Sequence, residues 1–433
     1  MEKMFNLIVY GKGERKLLGI PPSSPNFRHT MYVDEWKKHI EYNELFKFIN
    51  FKKVKPDTKY IVYLNHYHHF LTDKYQSVYK FYPNNSKIKN LRNEVTMSER
   101  IWNDSKKGLV HWIIDWGTEC TQLENSAGVD FEKMCAALNT TPKNITLITG
   151  AETAEPYGNV TLRAAIRYGY NCITGYELFK FLALPEQHAE HLAYASTKIK
   201  DISNNKILQY KSLSYNRLPR NHRTMIVAHI IKNNYDKECL YSLGTFQGQS
   251  RWHWKNHFPE LEKEVDLLIN GKEIYPHMRE SNVNLQENQA NVLGWDHGLN
   301  SYFQVVTETA PDNARYPFIT EKLLKPLAML QPFIQYGPKN NIKVLKAHGF
   351  HTFDKWINHS YDDEEDDIVR LRLLLTEFDR LQNISADDWS KLLKDMLPSL
   401  LHNYQLIKKP VTRNITSQLI PILADFMMDE TNV

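Results

Sequence analysis

No stretch of this chain approaches the run of about 18 apolar residues that a membrane-spanning helix needs, which argues against an integral helical membrane protein. Cysteine is scarce. The four present, Cys120, Cys135, Cys172 and Cys239, are scattered without a CxxC pair, which points to reduced thiols in a cytosol. The opening "MFNLIVYGKG" is too short for a signal h-region and lacks a small-residue cleavage site, so it is read as a first strand. There is no internal repeat and no Gly/Ser-rich linker, which sets aside a repeat array. Charge of one sign is lacking too: 54 Lys and Arg face 50 Asp and Glu, a net +4 that tolerates a polyanion without requiring one. These absences predict a cytoplasmic protein with no membrane partner and no obligatory protein partner.

At 433 residues, the chain is long enough for two domains. Charged residues at 24% and hydrophobic ones at 42% are ordinary for a chain that buries a large core. Aromatics reach 12%, a share that suits sugar or base stacking but more often serves packing. Through the first half, short apolar runs recur: "FNLIVYG", "KYIVYLN", "GLVHWIIDWG", "NITLITG" and "NCITGYEL". They are rich in Val, Ile, Tyr and Thr and alternate with helix-like segments such as "VDFEKMCAALNT" and "VTLRAAIRYG". Strands alternating with helices predict mostly parallel sheets. The pattern restarts near residue 205. A strand in "NNKILQYKSLSYN" precedes a helix in "HRTMIVAHIIKNN", and "CLYSLGTF", "SYFQVVTET", "PFIQYG" and "NIKVLKAHGF" read as further strands. Residues 367–406 read as helical, and the acidic "YDDEEDD" before them as a solvated flank favoured by the helix dipole.

Two stretches of the second half suit phosphate. "SYNRLPRNHR" places Arg217, Arg220 and Arg223 at a strand-to-helix turn, where free N–H groups and guanidinium forks match phosphate oxygens. A solvated basic loop is the plain alternative. In "RYPFITEKLLKPLAMLQPFIQYG", Thr320 can cap a helix that starts at Glu321 and leaves Lys322 in its first turn. A cation there opposes the dipole unless an anion shares the site, and Glu321 suits two vicinal hydroxyls such as a ribose presents. An exposed Glu-Lys pair is the bland reading. Pro326 forfeits the bond to the Lys322 carbonyl and predicts a kink.

"ITEKLLKPLAMLQPFIQYGP", preceded by "FQVVTETAPDN" and followed by "LKAHGFHTFDKWINHSYDDEEDD", resembles the donor domain of fucosyltransferase-like glycosyltransferases. More narrowly, it is similar to virus- and phage-encoded members with a Ser/Thr-Glu-Lys helix, a "GF-TFD" element and a "SYD" acidic segment. "YNRLPRNHR" matches their upstream Asn-Arg-x-Pro-Arg-x-His-Arg element, and the resemblance covers roughly residues 205 to 405. It implies an α/β chain of the GT-B fold, two Rossmann-like domains whose parallel sheets face a central cleft, followed by C-terminal helices. The expected division is an acceptor domain over 1–204, a nucleotide-sugar domain over 205–405 and a helical tail over 406–433 that could pack back on the first domain. It further implies that Glu321 takes the ribose, while Lys322 with Arg220 or Arg223 takes the diphosphate of a nucleotide-sugar donor.

Such enzymes need no tightly held metal, since cationic side chains and a helix dipole neutralise the leaving diphosphate. The histidines of "NHYHH" (His66, His68, His69) and the pair His188 and His191 lack a matching carboxylate or Cys set, so no metal site is expected. A general base is expected at the carboxyl end of a strand in the first domain. "WIIDWGTEC" offers Asp115 and Glu119, and "LITGAETAEPYG" offers Glu152 and Glu155 in a context similar to the fucosyltransferase base. Glu152 is preferred narrowly over Asp115. The expected activity is sugar transfer to an acceptor hydroxyl, with a 5-hydroxymethylated pyrimidine in double-stranded phage DNA as the first choice. A lipopolysaccharide or capsule precursor, a GT-B sugar-nucleotide epimerase and a non-catalytic nucleic-acid-binding module are the rivals.

Overall fold

The apolar runs pair as strands, and every strand pairing among the described residues is parallel. The computed structural model describes residues 5–9, 46–48, 54–65, 81–83, 95–97, 99–116, 135–136, 138–149, 165–174, 185–216, 219–244, 253–270, 295–308, 317, 319–408 and 412–429. They fall into two units, Met1–Lys180 with Val411–Val433, and Phe181–Pro410.

The first unit holds β1 (Phe5–Val9), β2 (Phe46–Phe48), β3 (Tyr60–Asn65), α1 (Glu99–Lys106), β6 (Val110–Trp116), β7 (Ile145–Thr149) and β8 (Asn171–Thr174). The main sheet has the order β2-β1-β3-β6-β7-β8, and β4 (Phe81–Pro83) with β5 (Val95–Met97) forms a separate two-stranded sheet. Parallel strands covered on both faces need near-continuous apolar sequence, and Ile61, Trp112, Ile113, Ile145 and Leu147 are all buried. The polar groups that go in are paired. Trp112 Nε1 donates to Ser105 Oγ at 2.9 Å, and Ser105 Oγ donates to the Leu138 carbonyl at 2.6 Å. The last helix of the chain packs here too: the Lys59 ammonium donates to the Phe426 carbonyl at 2.7 Å, and Lys143 pairs with Asp429 at 2.9 Å.

The second unit is built on α2 (Pro185–Ser203), β9 (Tyr210–Ser214), α3 (Asn221–Lys232), β10 (Cys239–Tyr241), α4 (Glu262–Asn270), α5 (Trp295–Leu299) and β11 (Ser301–Thr307). It continues through α6 (Glu321–Ala328), β12 (Phe333–Tyr336), α7 (Asn341–Ala347), α8 (Asp367–Gln382) and α9 (Ala386–Lys408); α10 (Thr412–Met428) closes the first unit. Its sheet order is β10-β9-β11-β12, with every residue of β11 and β12 buried. Phe303 and Tyr302 of β11 stack on Trp389 of α9 at 5.2 and 5.7 Å, which packs α9 against this strand.

Three details differ from the sequence reading. "NIKVLKA" is helix rather than strand, because the buried carboxylate of Asp362 accepts the Ile342 N–H at 3.0 Å and caps α7 from a distant part of the chain. Tyr361 and Asp362 of the acidic flank are accordingly buried instead of solvated, and burial pushes the Asp362 carboxyl up to about 7. The boundary falls at 180/181 instead of 204/205, since α2 packs against α5 and α9.

Lys198 makes that packing specific. Its ammonium position is fully buried and donates to the carbonyls of Gly298 and Ser301 at 2.7 and 3.0 Å. Burial, the largest influence, pulls this amine down to about 7, and a neutral amine still has two hydrogens for the two carbonyls. Between about pH 7 and the ordinary lysine value near 10.4, the unfolded chain therefore holds a proton that the folded chain lacks. Stability should rise with pH across that window by up to about 1.4 kcal/mol per unit. Thermal unfolding of wild type and Lys198→Met between pH 7 and 9.5 checks this: the slope should be present in the first and absent in the second, and equal slopes would refute it.

Candidate functional site

The chain leaves β9 for β10 on one side and later returns to lay β11 on the other, so the second sheet has its switch point between β9 and β11. In open parallel sheets, ligands sit beyond the carboxyl ends of the strands at such a point. Here those ends are stitched together. The Asn216 N–H donates to Ser242 Oγ at 2.9 Å, its side-chain amide donates to Ser214 Oγ at 3.0 Å, and its Oδ1 accepts from Thr307 Oγ1 at 2.7 Å. Two helix N-termini open on this edge, and both were singled out in the sequence.

Arg220 is the N-cap residue of α3, with extended backbone and no side-chain cap bond. The first turn behind it is unusually buried for such polar residues, with Asn221, His222 and Arg223 all inside. Arg223 turns inward, and its Nη2 donates to the carbonyls of Thr307 and Glu308, each at 3.2 Å. His222 Nε2 donates to the Glu308 carbonyl at 2.9 Å. Burial first, and then the Arg223 guanidinium, hold this imidazole well below its usual range. It is therefore a neutral donor through Nε2, and its Nδ1 is buried without a hydrogen-bond partner.

The second N-terminus is that of α6. Thr320 caps it as the sequence predicts: its backbone is extended, and its hydroxyl accepts the Lys322 N–H at 3.2 Å. The Lys322 ammonium lies 3.4 Å from the same hydroxyl. One turn on, the Lys325 ammonium sits over the Tyr215 ring at 5.5 Å, which ties α6 to the end of β9. Pro326 does not stop the helix at once, but α6 ends two residues later at Ala328, and Leu330 takes up a left-handed φ of 54°.

The two motifs meet on a residue that the sequence reading missed. Glu308 follows β11 and has no solvent exposure at all. Its backbone carbonyl receives His222 and Arg223 from α3, while its carboxylate receives the Thr320 hydroxyl at 2.5 Å and the Thr320 N–H at 3.4 Å. Gln335 of β12 adds a third donor at 3.1 Å. The signal in the sequence is an acid directly after a strand-like run, "SYFQVVTE", and it carries no hint of what the acid touches.

The other predicted site residues are less fully placed. Arg217, Glu119, Glu152 and Glu155 lie outside the described residues, as do His66, His68 and His69. Glu321 is the first residue of α6 and Asp115 sits near the carboxyl end of β6 in register with Asn65 and Ile148, but their side chains lie outside what is described. His188 and His191 are on α2, likewise without described side chains. Among the described residues, no group of three or more His, Cys, Asp or Glu side chains is placed to hold a metal ion. No described helix is long and apolar enough to cross a membrane. A cavity of about 480 Å³ opens in the first unit, lined by Asp57, Lys107, Gly108, Thr141 and Asn144 among others. It lies at the amino-terminal ends of β6 and β7, opposite to where parallel sheets present their chemistry.

No family model and no curated protein sequence matches the chain. Among solved structures, it is similar to a glycosyltransferase from Rickettsia africae ESF-5, at 11% identity and a TM-score of 0.38, over 98% of this chain and 99% of that one. A likeness so distant carries no inference about the chemistry of this chain.

Gly337 follows β12, and a Cβ there would lie 2.7 Å from Asn341 Nδ2, 3.1 Å from Gln335 Nε2 and 3.2 Å from Glu308 Cγ. Gly337→Ala must therefore push the Glu308 network aside, at a cost of about 1–3 kcal/mol for an overpacked core. A lowered melting temperature checks this. An unchanged one would show that the network gives way freely.

Proposed function

We propose that this chain is a glycosyltransferase of the GT-B type, which moves a sugar from a nucleotide-diphosphate donor to an acceptor hydroxyl. The observation that carries the reading is the convergence of two helix N-termini, with Arg220, Arg223 and Lys322 on their first turns or caps, at the switch point of a parallel sheet. Free N–H groups, the positive ends of two dipoles and fixed cations suit a diphosphate leaving group. In this reading Lys322 and Arg220 face the diphosphate, joined by Arg217 of the same sequence motif. Arg223 is bound to strand-end carbonyls and holds the turn in place. Glu321, next to the cap, takes the ribose hydroxyls. The site acts without a bound metal, because the protein supplies the positive charge.

The chemical step is a displacement. The acceptor hydroxyl gives its proton to a carboxylate, its oxygen bonds to the anomeric carbon, and the bond from that carbon to the diphosphate oxygen breaks. Glu152 is our first choice for the carboxylate and Asp115 the second, with Glu119 beside it. For the acceptor we favour a 5-hydroxymethylated pyrimidine in double-stranded phage DNA, modified in the host cytoplasm. That choice is supported by the resemblance of residues 205 to 405 to phage-encoded enzymes and by the slight positive charge. Incubating hydroxymethylated DNA with a panel of sugar nucleotides in excess EDTA, followed by mass spectrometry of the nucleosides, tests donor, acceptor and metal together. A glycosylated nucleoside is expected. No product with DNA but transfer to a glycan precursor would move the acceptor to a lipopolysaccharide or capsule intermediate, and conversion of the sugar nucleotide alone would indicate an epimerase.

Two sets of variants separate the roles. Lys322→Ala should weaken UDP or GDP binding by roughly 1.5–3 kcal/mol, the range for hydrogen bonds to charged groups, with Arg220→Ala showing the same defect. Equal calorimetric affinity in wild type and Lys322→Ala would remove the lysine from the site. Glu152→Gln should leave donor affinity intact and lower turnover on the order of 10²- to 10⁴-fold. If Asp115→Asn does so instead, the base is Asp115. Full activity in both would rule out a base from these two strand ends.

A further inference from the structure

We infer that Glu308 is a positioning residue for the diphosphate grip, acting through Thr320 on Lys322 without touching the donor itself. The inference rests on the diphosphate reading of this edge and adds to it a residue that the motifs do not contain.

A buried carboxylate survives only where donors surround it. Among the described residues the Thr320 hydroxyl, the Thr320 N–H and the Gln335 amide donate to Glu308, spread over both of its oxygens. In its ionised form a carboxylate accepts only, and the Thr320 hydroxyl then has one course: its single hydrogen points to Glu308. The lone pairs of that hydroxyl then face the other way, toward the Lys322 N–H at 3.2 Å and the Lys322 ammonium at 3.4 Å. The carboxylate thus decides which way the capping hydroxyl is turned. The hydroxyl in turn holds both the first turn of α6 and the base of the cation that it presents. A hydrogen bond polarised by a charged acceptor also makes the hydroxyl oxygen a better acceptor.

The same residue couples the two halves of the grip. Its carbonyl binds His222 and Arg223 on α3 while its carboxylate binds the cap of α6. An amide at this position cannot reproduce the pattern. With its oxygen toward Thr320, its NH₂ would meet the Thr320 N–H and the Gln335 NH₂, donor against donor. Exchanging the two side chains removes the conflict at position 335, because a carboxylate there accepts from an amide at 308 and leaves only the long Thr320 N–H contact unmatched.

Calorimetry with inorganic pyrophosphate and with UDP, in EDTA, tests this on the full chain. Glu308→Gln should weaken both probes by about 10-fold or more, the scale on which partners behind a contact residue act. In a Lys322→Ala background, the same substitution should change affinity by less than about 2-fold, because residues acting through one another are not additive. Glu308→Gln combined with Gln335→Glu should recover most of the wild-type affinity. Wild-type affinity in Glu308→Gln would overturn the inference, and so would losses that multiply independently of Lys322. Should Glu308→Gln fail to fold, Thr320→Val must lose the probes to the same degree while Thr320→Ser keeps them; full affinity in Thr320→Val would overturn it as well. Failure of the underlying reading looks different: wild type would not bind either probe, or Lys322→Ala would bind as wild type does, and both ideas would then fall together.

Discussion

A carboxylate sealed at the end of a buried strand must be met by donors to stay ionised, since an uncompensated buried charge costs several kcal/mol. Glu308 imposes that constraint on the second unit. To satisfy it, α6 must be capped by Thr320, so that hydroxyl and N–H both reach the carboxylate, and β12 must bring Gln335 alongside. Gly337 must lack a side chain, because a Cβ there would crowd the Glu308 Cγ. The backbone of the same residue anchors α3 through His222 and Arg223. One strand end therefore fixes the origin of two helices, and the positions of their first-turn cations follow from it.

Neutrality and charge are divided along this edge in a way that suits an anion. His222 is kept neutral by burial and neighbouring arginine, so it serves as a hydrogen-bond anchor. Arg220 at the cap of α3 and Lys322 on the first turn of α6 are both only partly buried. The supporting polar groups, Asn216, Ser214, Ser242 and Thr307, are spent on one another and stiffen the strand ends behind them. A rigid edge with partly exposed cations loses little on binding a diphosphate, which is what preorganisation means in energetic terms.

Much of the fold was legible because parallel strands buried on both faces are written as short, mainly apolar and β-branched runs, and "VHWIIDW", "ITLIT" and "SYFQVVT" are such runs with few polar interruptions. The cap at Thr320 was legible for a local reason: capping needs only a hydroxyl two residues before the N–H that it accepts. What was not legible depends on distant contacts. "NIKVLKA" becomes helix through the Asp362 carboxylate, and α2 joins the second unit through the Lys198 contacts near β11. Glu308 belongs to the same class. Its role is written in Thr320 and Gln335, which only the fold brings to it. The basic turn makes Arg223 a phosphate candidate by sequence, and only the fold shows that its Nη2 donates to two carbonyls at the strand end.

Hydrogen–deuterium exchange with and without UDP tests the central claim most directly, because it reads both helix N-termini at once and requires no turnover. A diphosphate held between them should slow exchange at the amides of residues 221–224 and 321–323 together, with little change along the buried core of β11. Protection confined to one of these segments, or to neither, would contradict a grip built from both.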